Sequence, residues 1–274
     1  MMSQQVIFDE ETQCYRLRLY PAGGVTAASD WQVLAQLAHS HGDGFIRLGE
    51  ACVIELRGLD DPESVMDEIS GTSLSATSFR ICAEPLARSC RVLAQELGSR
   101  IANNSGSILF DEVHDLVFGI TESSTDALGF RADIHIHIKH SAGTLSLLTE
   151  DDTVTIAEGS WGKSVDKALN IVVEMLKEKS LIRRESTPNI AREALPIGWL
   201  TDTAEQGCVN LGMGVVEEGI PADHAAMLGL LPTQLSVTPW RGLVIHDLPE
   251  ADADTVLRFL APRGFIFDIN SPLL

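Results

Sequence analysis

Aromatic residues are scarce in this chain. Nine Phe, four Trp and two Tyr make up 5% of 274 residues, so any core must be largely aliphatic. No apolar run approaches the roughly 18 residues of a membrane-spanning helix. The opening MMSQQVIFDEETQ lacks the basic and apolar regions of a signal peptide, and the expected compartment is the cytoplasm. The five cysteines form no CxxC or CxxxC pair, and only Cys82 and Cys90 are near neighbours. An odd, scattered set without an export signal reads as free thiols rather than a disulfide framework. Positive charge is also scarce: 20 basic residues stand against 39 acidic ones, a net charge of −19. Such a surface repels phosphate backbones and anionic lipid, so neither nucleic acid nor membrane is an expected partner. A polyanionic ligand would need a local basic pocket. No serine-hydrolase elbow or HExxH motif occurs. The glycines of GCVNLGMG, residues 207–214, lie along an expected strand rather than between strand and helix, so they do not read as a nucleotide loop.

What the chain does contain is an internal repeat. LSVTPWRGLVIHDL, residues 235–248, overlies IRLGEACVIELRGL, residues 46–59, without a gap. Apolar residues match at Ile46/Leu235, Leu48/Val237, Ile54/Leu243, Leu56/Ile245 and Leu59/Leu248. Around the first copy, alternation predicts a strand at 15–20, and Thr26 is placed to cap a helix containing Trp31, Leu34, Leu37 and Ala38. Strands at 45–48 and 52–56, a turn at 57–62 and a helix carrying Val65, Met66 and Ile69 complete a β-α-β-β-α unit. The second copy predicts the same order: strand 209–215, helix 222–231, strands 234–237 and 242–246, helix 252–260, and a last short strand from Phe265. Each unit leaves a sheet edge open, and two copies can complete one another about a pseudo-twofold. Between them a helix at 84–103, strands at 113–121, 131–140, 144–148 and 153–157, and a helix at 161–179 predict a separate α+β domain. The expected boundaries are 1–75, 76–188 and 189–274.

GGVTAASDWQVLAQLAHSHGDGFIRLGEACVIELRGL resembles the ferredoxin-like half domain of the nitrite/sulfite reductase superfamily. The second copy, GWLTDTAEQGCVNLGMGV followed by LSVTPWRGLVI, is most similar to that superfamily's precorrin-3B synthase branch, and RICAEPLARS resembles the start of its middle domain. The resemblance implies an α+β fold of two ferredoxin-like half domains pairing about a pseudo-twofold, with an inserted nitrite/sulfite-reductase-like middle domain. It implies an oxidoreductase module of cobalamin biosynthesis that binds a polycarboxylate tetrapyrrole between the half domains. Family members use a [4Fe-4S] cluster on four cysteines, with iron or sirohaem. The sequence holds no such quartet, so no cofactor is expected within this chain, and a partner chain would carry the iron–sulfur domain. A family arginine falls on Ala51, an expected glutamine on Glu55, and a lysine of the middle domain on Asp115. These changes predict a ligand site depleted of cations. The second reading is therefore a catalytically inactive, cofactor-free relative that keeps the scaffold to bind a ligand or partner.

Arg241, which follows Trp240 at a strand end, is the leading substrate-binding candidate, because a guanidinium pairs bidentately with a carboxylate. Arg57, Arg80 and Arg131 follow on the same argument. The bland alternative for each is pairing with a surface acid. His135 and His137 share one strand face and, with His140, offer metal ligands. The competing reading is a solvated polar face opposite Ile134, Ile136 and Ile138. A redox role for Cys52, Cys82 and Cys90 requires the thiols to converge, which their spacing does not indicate.

Overall fold

The computed structural model describes residues 6–76, 80–103, 117–124, 126–130, 132–139, 144–148, 153–156, 170, 191 and 194–274. The first part of the chain runs β1 (Val6–Asp9), β2 (Cys14–Leu19), a two-residue β3 (Val25–Thr26), α1 (Ala28–His41), β4 (Phe45–Gly49), β5 (Val53–Leu59) and α2 (Pro62–Ile69). A middle part holds β6 (Arg80–Ala83), α3 (Arg88–Asn103), β7 (Val117–Thr121), β8 (Ile134–Lys139), β9 (Thr144–Leu148) and β10 (Thr153–Ile156). The last part runs β11 (Gly198–Leu200), β12 (Cys208–Val215), a two-residue β13 (Ile220–Pro221), α4 (Ala222–Leu228), β14 (Leu235–Val237), β15 (Gly242–Pro249), α5 (Glu250–Leu260) and β16 (Phe265–Ile266).

Three sheets result. The first is ordered β1-β2-β5-β4-β13, the second β11-β12-β15-β14-β3 with β16 also on β12, and the middle one β10-β9-β8-β7-β6. The first and second sheets exchange strands. Ile220 and Pro221 pair with Ile46 and Phe45, while Val25 and Thr26 pair with Ser236 and Leu235. Each exchanged strand covers an edge that would otherwise present unpaired backbone groups. A left-handed glycine precedes each: Gly24 at φ 75° and Gly219 at φ 107°. Neither has room for a side chain. A Cβ on Gly24 would lie 2.1 Å from the Val237 carbonyl oxygen, and one on Gly219 would lie 2.9 Å from that of Ile46.

The aligned stretches have the same register. Ile46 opposes Leu56 and Leu48 opposes Ile54, just as Leu235 opposes Ile245 and Val237 opposes Leu243. Their backbones also match at the unusual positions. Cys52 and Arg241 are both left-handed, at φ 62° and 63°, and so are Gly58 and Asp247, at 73° and 48°. One aliphatic core includes Leu17, Leu34, Ile54 and Leu56 from the first part and Leu211, Leu228, Leu235 and Ile245 from the last. Leu34 and Leu228 come from α1 and α4; strand alternation sends the others inward and leaves the opposite face of each sheet to be dealt with separately.

Several local expectations change. Thr26 caps no helix, because it lies in β3 and its buried hydroxyl accepts from Trp31 Nε1 at 2.9 Å. Asp30 caps α1 instead, accepting from the Ala27 amide at 2.8 Å. Arg57 belongs to β5 rather than to a turn, because pairing with β2 continues as far as Leu59. The middle helix begins at Arg88, four residues later than expected, because the Glu84 amide is used by the Ile120 carbonyl in the sheet and Pro85 follows. Of the expected helix at 161–179 only residue 170 is described, and it is helical; the hairpin turn at Gly143 lies outside the described residues.

Candidate anion-binding cleft

A cleft of about 460 Å³ opens over the outward face of the first sheet. Its lining includes Arg18, Arg47, Arg57, Arg80 and Arg241, five of the chain's 20 basic residues, together with Glu50, Glu55 and Glu217. Strand pairing produces the cluster. Arg18 on β2, Glu55 on β5 and Arg47 on β4 are direct cross-strand partners, so their side chains leave the same face. Tyr20 and Arg57 lie two residues beyond Arg18 and Glu55 and follow on that face.

Glu55 ties this row together. Its side chain is 7% exposed; Oε2 accepts from Arg18 Nε at 2.8 Å, and Oε1 accepts from Arg57 Nε. Burial pushes its carboxyl upward, but the hydrogen bonds from Arg18 and Arg57 outweigh it and hold the group below the ordinary carboxylate range. Burial raises Tyr20, while the charges of Arg18 and Arg80 pull it down, which places this hydroxyl in the field of both guanidiniums. Arg47 contacts Asp43 at 2.8 Å and lies over the Phe45 ring.

Arg241 reaches the cleft from the other half of the repeat. The turn at 238–241 meets the turn at 49–52. Glu50 bridges to Trp240, the Ala51 amide donates to the Pro239 carbonyl at 3.2 Å, and Arg241 Nη2 lies 3.0 Å from Glu50 Oε1. Trp240 Nε1 donates to the Leu128 carbonyl at 3.0 Å and so ties this junction to the middle part of the chain. A second cavity of about 420 Å³ abuts the cleft and shares Leu48, Glu217 and Arg241 with it. Its other walls include Pro196, Ile197, Trp240, Pro272 and Leu274.

Three of the four arginines singled out from sequence, Arg57, Arg80 and Arg241, thus line one cleft. Arg131 lies outside the described residues. Arg18 and Arg47 were missed. The alternation of YRLRLY and FIRLG held the signal, since in each an arginine sits opposite the core-facing leucines. The cleft therefore keeps more cations than the substitutions at Ala51 and Glu55 predicted, because arginines arrive from β2 and β4 as well.

The histidine pair is not on a solvated face. His135 is buried, and the Thr121 hydroxyl lies 2.8 Å from His135 Nε2 and 3.1 Å from His137 Nδ1, bridging the two rings. Cys52 and Cys82 do meet, contrary to their spacing. Both are buried, and burial followed by contact with Cys82 raises the Cys52 thiol, which makes it a poor nucleophile. Cys90 is raised by burial and by the nearby Glu84 and Glu122 carboxylates. Among the described residues no group of three or more His, Cys, Asp or Glu is placed to hold a metal ion. All five cysteines are described, so they do not fit a four-thiolate cluster. The described linings of the cleft and its neighbour carry neither cysteine nor histidine, and the arginines of the cleft suit carboxylates. No helix among the described residues is long and apolar enough to cross a membrane.

The fold has a counterpart among solved structures. The chain is similar to the Mycobacterium tuberculosis NirA protein with a TM-score of 0.66, at 13% identity over 93% of this chain and 58% of that one. It thus spans a little over half the length of that neighbour, and the likeness is one of fold. No protein-family model matches the chain, and no curated protein matches it.

Proposed function

We propose that the arginine cleft binds a polycarboxylate ligand of the tetrapyrrole class, and that the chain is the binding module of a precorrin-3B synthase-like, nitrite/sulfite-reductase-type system. The observation that carries this reading is the gathering of five arginines against three glutamates on one cleft of a chain whose net charge is −19. Positive charge so concentrated against the overall field matches a ligand bearing several carboxylates. The adjoining cavity, walled by Ile197, Trp240 and Leu274, offers an apolar surface for a ring system. The sequence resemblance points to the same class, and the fold likeness supports the scaffold alone. In this reading Arg57, Arg80 and Arg241 take carboxylates of the ligand, and Arg18 and Arg47 complete the field.

Oxidation of such a ligand would draw on iron or a cluster supplied from outside the described residues, for instance by a partner chain. The cysteine arrangement favours a second reading as well, in which the module binds and orients its ligand without redox chemistry of its own. Titration with uroporphyrin I, an octacarboxylate porphyrin, followed by fluorescence and calorimetry, tests the binding reading. Saturable binding to the chain is expected, weakened about tenfold by Arg241→Ala and by Arg57→Ala. Equal binding by a triple Arg57, Arg80, Arg241 alanine variant would defeat it. Iron or cluster absorbance in the chain purified together with a co-expressed partner separates the redox-active reading from the cofactor-free one.

A further inference from the structure

Two glutamates in the cleft are held in opposite ways. Glu55 is buried on the middle strand of the row, faces arginines on both neighbouring strands and accepts from the Nε atoms of Arg18 and Arg57. A carboxylate so placed cannot leave without stranding its partners. It engages Arg57 through Nε, and the Arg57 side chain, 46% exposed, lines the cleft. Glu50 is different. Its pair with Arg241 is exposed, 37% for the carboxylate and 56% for the guanidinium. Its backbone is pinned by the Trp240 bridge and the adjacent Ala51–Pro239 hydrogen bond, so its side chain can swing away by a rotamer change alone.

We infer that Glu50 is a displaceable internal carboxylate that occupies Arg241 until a ligand carboxylate replaces it, whereas Glu55 is a fixed carboxylate that positions Arg18 and Arg57 for that ligand. The inference rests on the reading of the cleft as an anion site. It adds a specificity rule: a ligand must outcompete Glu50 at Arg241 while leaving Glu55 in place. A single weak anion gains little over the resident glutamate. A polycarboxylate that also reaches Arg57 gains a second, intramolecular contact once the first is made.

The test uses the isosteric variants Glu50→Gln, Glu55→Gln and Glu217→Gln of the full chain. Each removes one negative charge, so a purely long-range field would tighten anion binding in all three. Uroporphyrin I and citrate serve as probes at low ionic strength, with thermal melting as the control for folding. Glu50→Gln is expected to tighten binding about three- to fivefold. Glu55→Gln is expected to weaken it about tenfold despite the added positive charge, because the arginines lose their common anchor. Glu217→Gln is expected to tighten binding less than Glu50→Gln does. If Glu55→Gln fails to fold, Glu55→Asp keeps the charge but shortens the reach, and the same loss is expected. Shifts of equal sign at Glu50 and Glu55 would overturn the inference. Opposite signs with citrate, alongside indifference to uroporphyrin, would uphold it and refute the tetrapyrrole reading. No binding of either probe to any variant would overturn both.

Discussion

The outward faces of the first and second sheets are equivalent in register and opposite in chemistry. Across the first, the row β2-β5-β4 reads Arg18, Glu55, Arg47; across the second, the matching row β12-β15-β14 reads Gly212, Val244, Ser236. One step further, Tyr20 and Arg57 correspond to Gly214 and His246. The glycines admit the chain's own backbone and tail. A Cβ on Gly212 would lie 1.7 Å from the Pro196 carbonyl oxygen, and one on Gly214 would lie 2.1 Å from Leu274 Cδ2. The second face is therefore covered by protein, while the first stays open and charged. His246 shows the consequence. Buried, with Nε2 2.7 Å from the Ser236 hydroxyl, it is held well below the ordinary imidazole range by burial and then by the charge of Arg91. At the matching place Arg57 is half-exposed and donates to Glu55. Two copies of one register thus became a closed wall and an open cleft through side-chain size at a few outward positions.

The largest test of this contrast is Gly212→Ala. It should cost about 3 kcal/mol or more, because backbone stands where the methyl must go, and chemical denaturation would read the loss. The matching change on the open face, Arg18→Ala, should cost less, about 1–2 kcal/mol, since Arg18 is itself 40% exposed and Arg57 still donates to the buried Glu55. Equal losses would mean that the two faces are not differently covered. Gly24→Ala should follow at about 2 kcal/mol, combining left-handed strain with the contact at Val237, and should loosen the strand exchange. Hydrogen exchange would then rise at Val25 and Ser236.

The pH response separates the faces further. The unfolded chain protonates His246 near pH 6.5 while the folded chain resists, so the unfolded state binds more protons below that value. Stability should fall as pH drops from about 6.5, by at most about 1.4 kcal/mol per unit from this group. His246→Gln should flatten that slope. Glu55 acts in a lower window with the same sign. Its depressed carboxyl contributes stability above about pH 4.3, which is lost as pH falls through the folded value. The smallest effect expected is at Glu50: Glu50→Gln should change the melting temperature by only a degree or two, because its pair is exposed.

Much of this was legible in the residues. The gap-free repeat anticipated the shared register, but not the left-handed backbone that Cys52 and Arg241 share. The alternation in β2, β4 and β5 separated core from outward positions, and the shortage of aromatics led to an aliphatic core. Local periodicity and sequence self-similarity carry such information because each depends only on near neighbours along the chain. The sequence could also name Arg57, Arg80 and Arg241, but not that Arg18 and Arg47 join them, nor that Glu55 binds two of them. Those facts depend on which strands lie side by side. The exchange of β3 and β13, the meeting of Cys52 with Cys82 and the burial of His135 and His246 likewise arise from contacts distant in sequence. Burial decides whether a histidine is a ligand or a wall, and strand order decides whether an arginine is a surface charge or part of a cleft. Only the folded chain sets either.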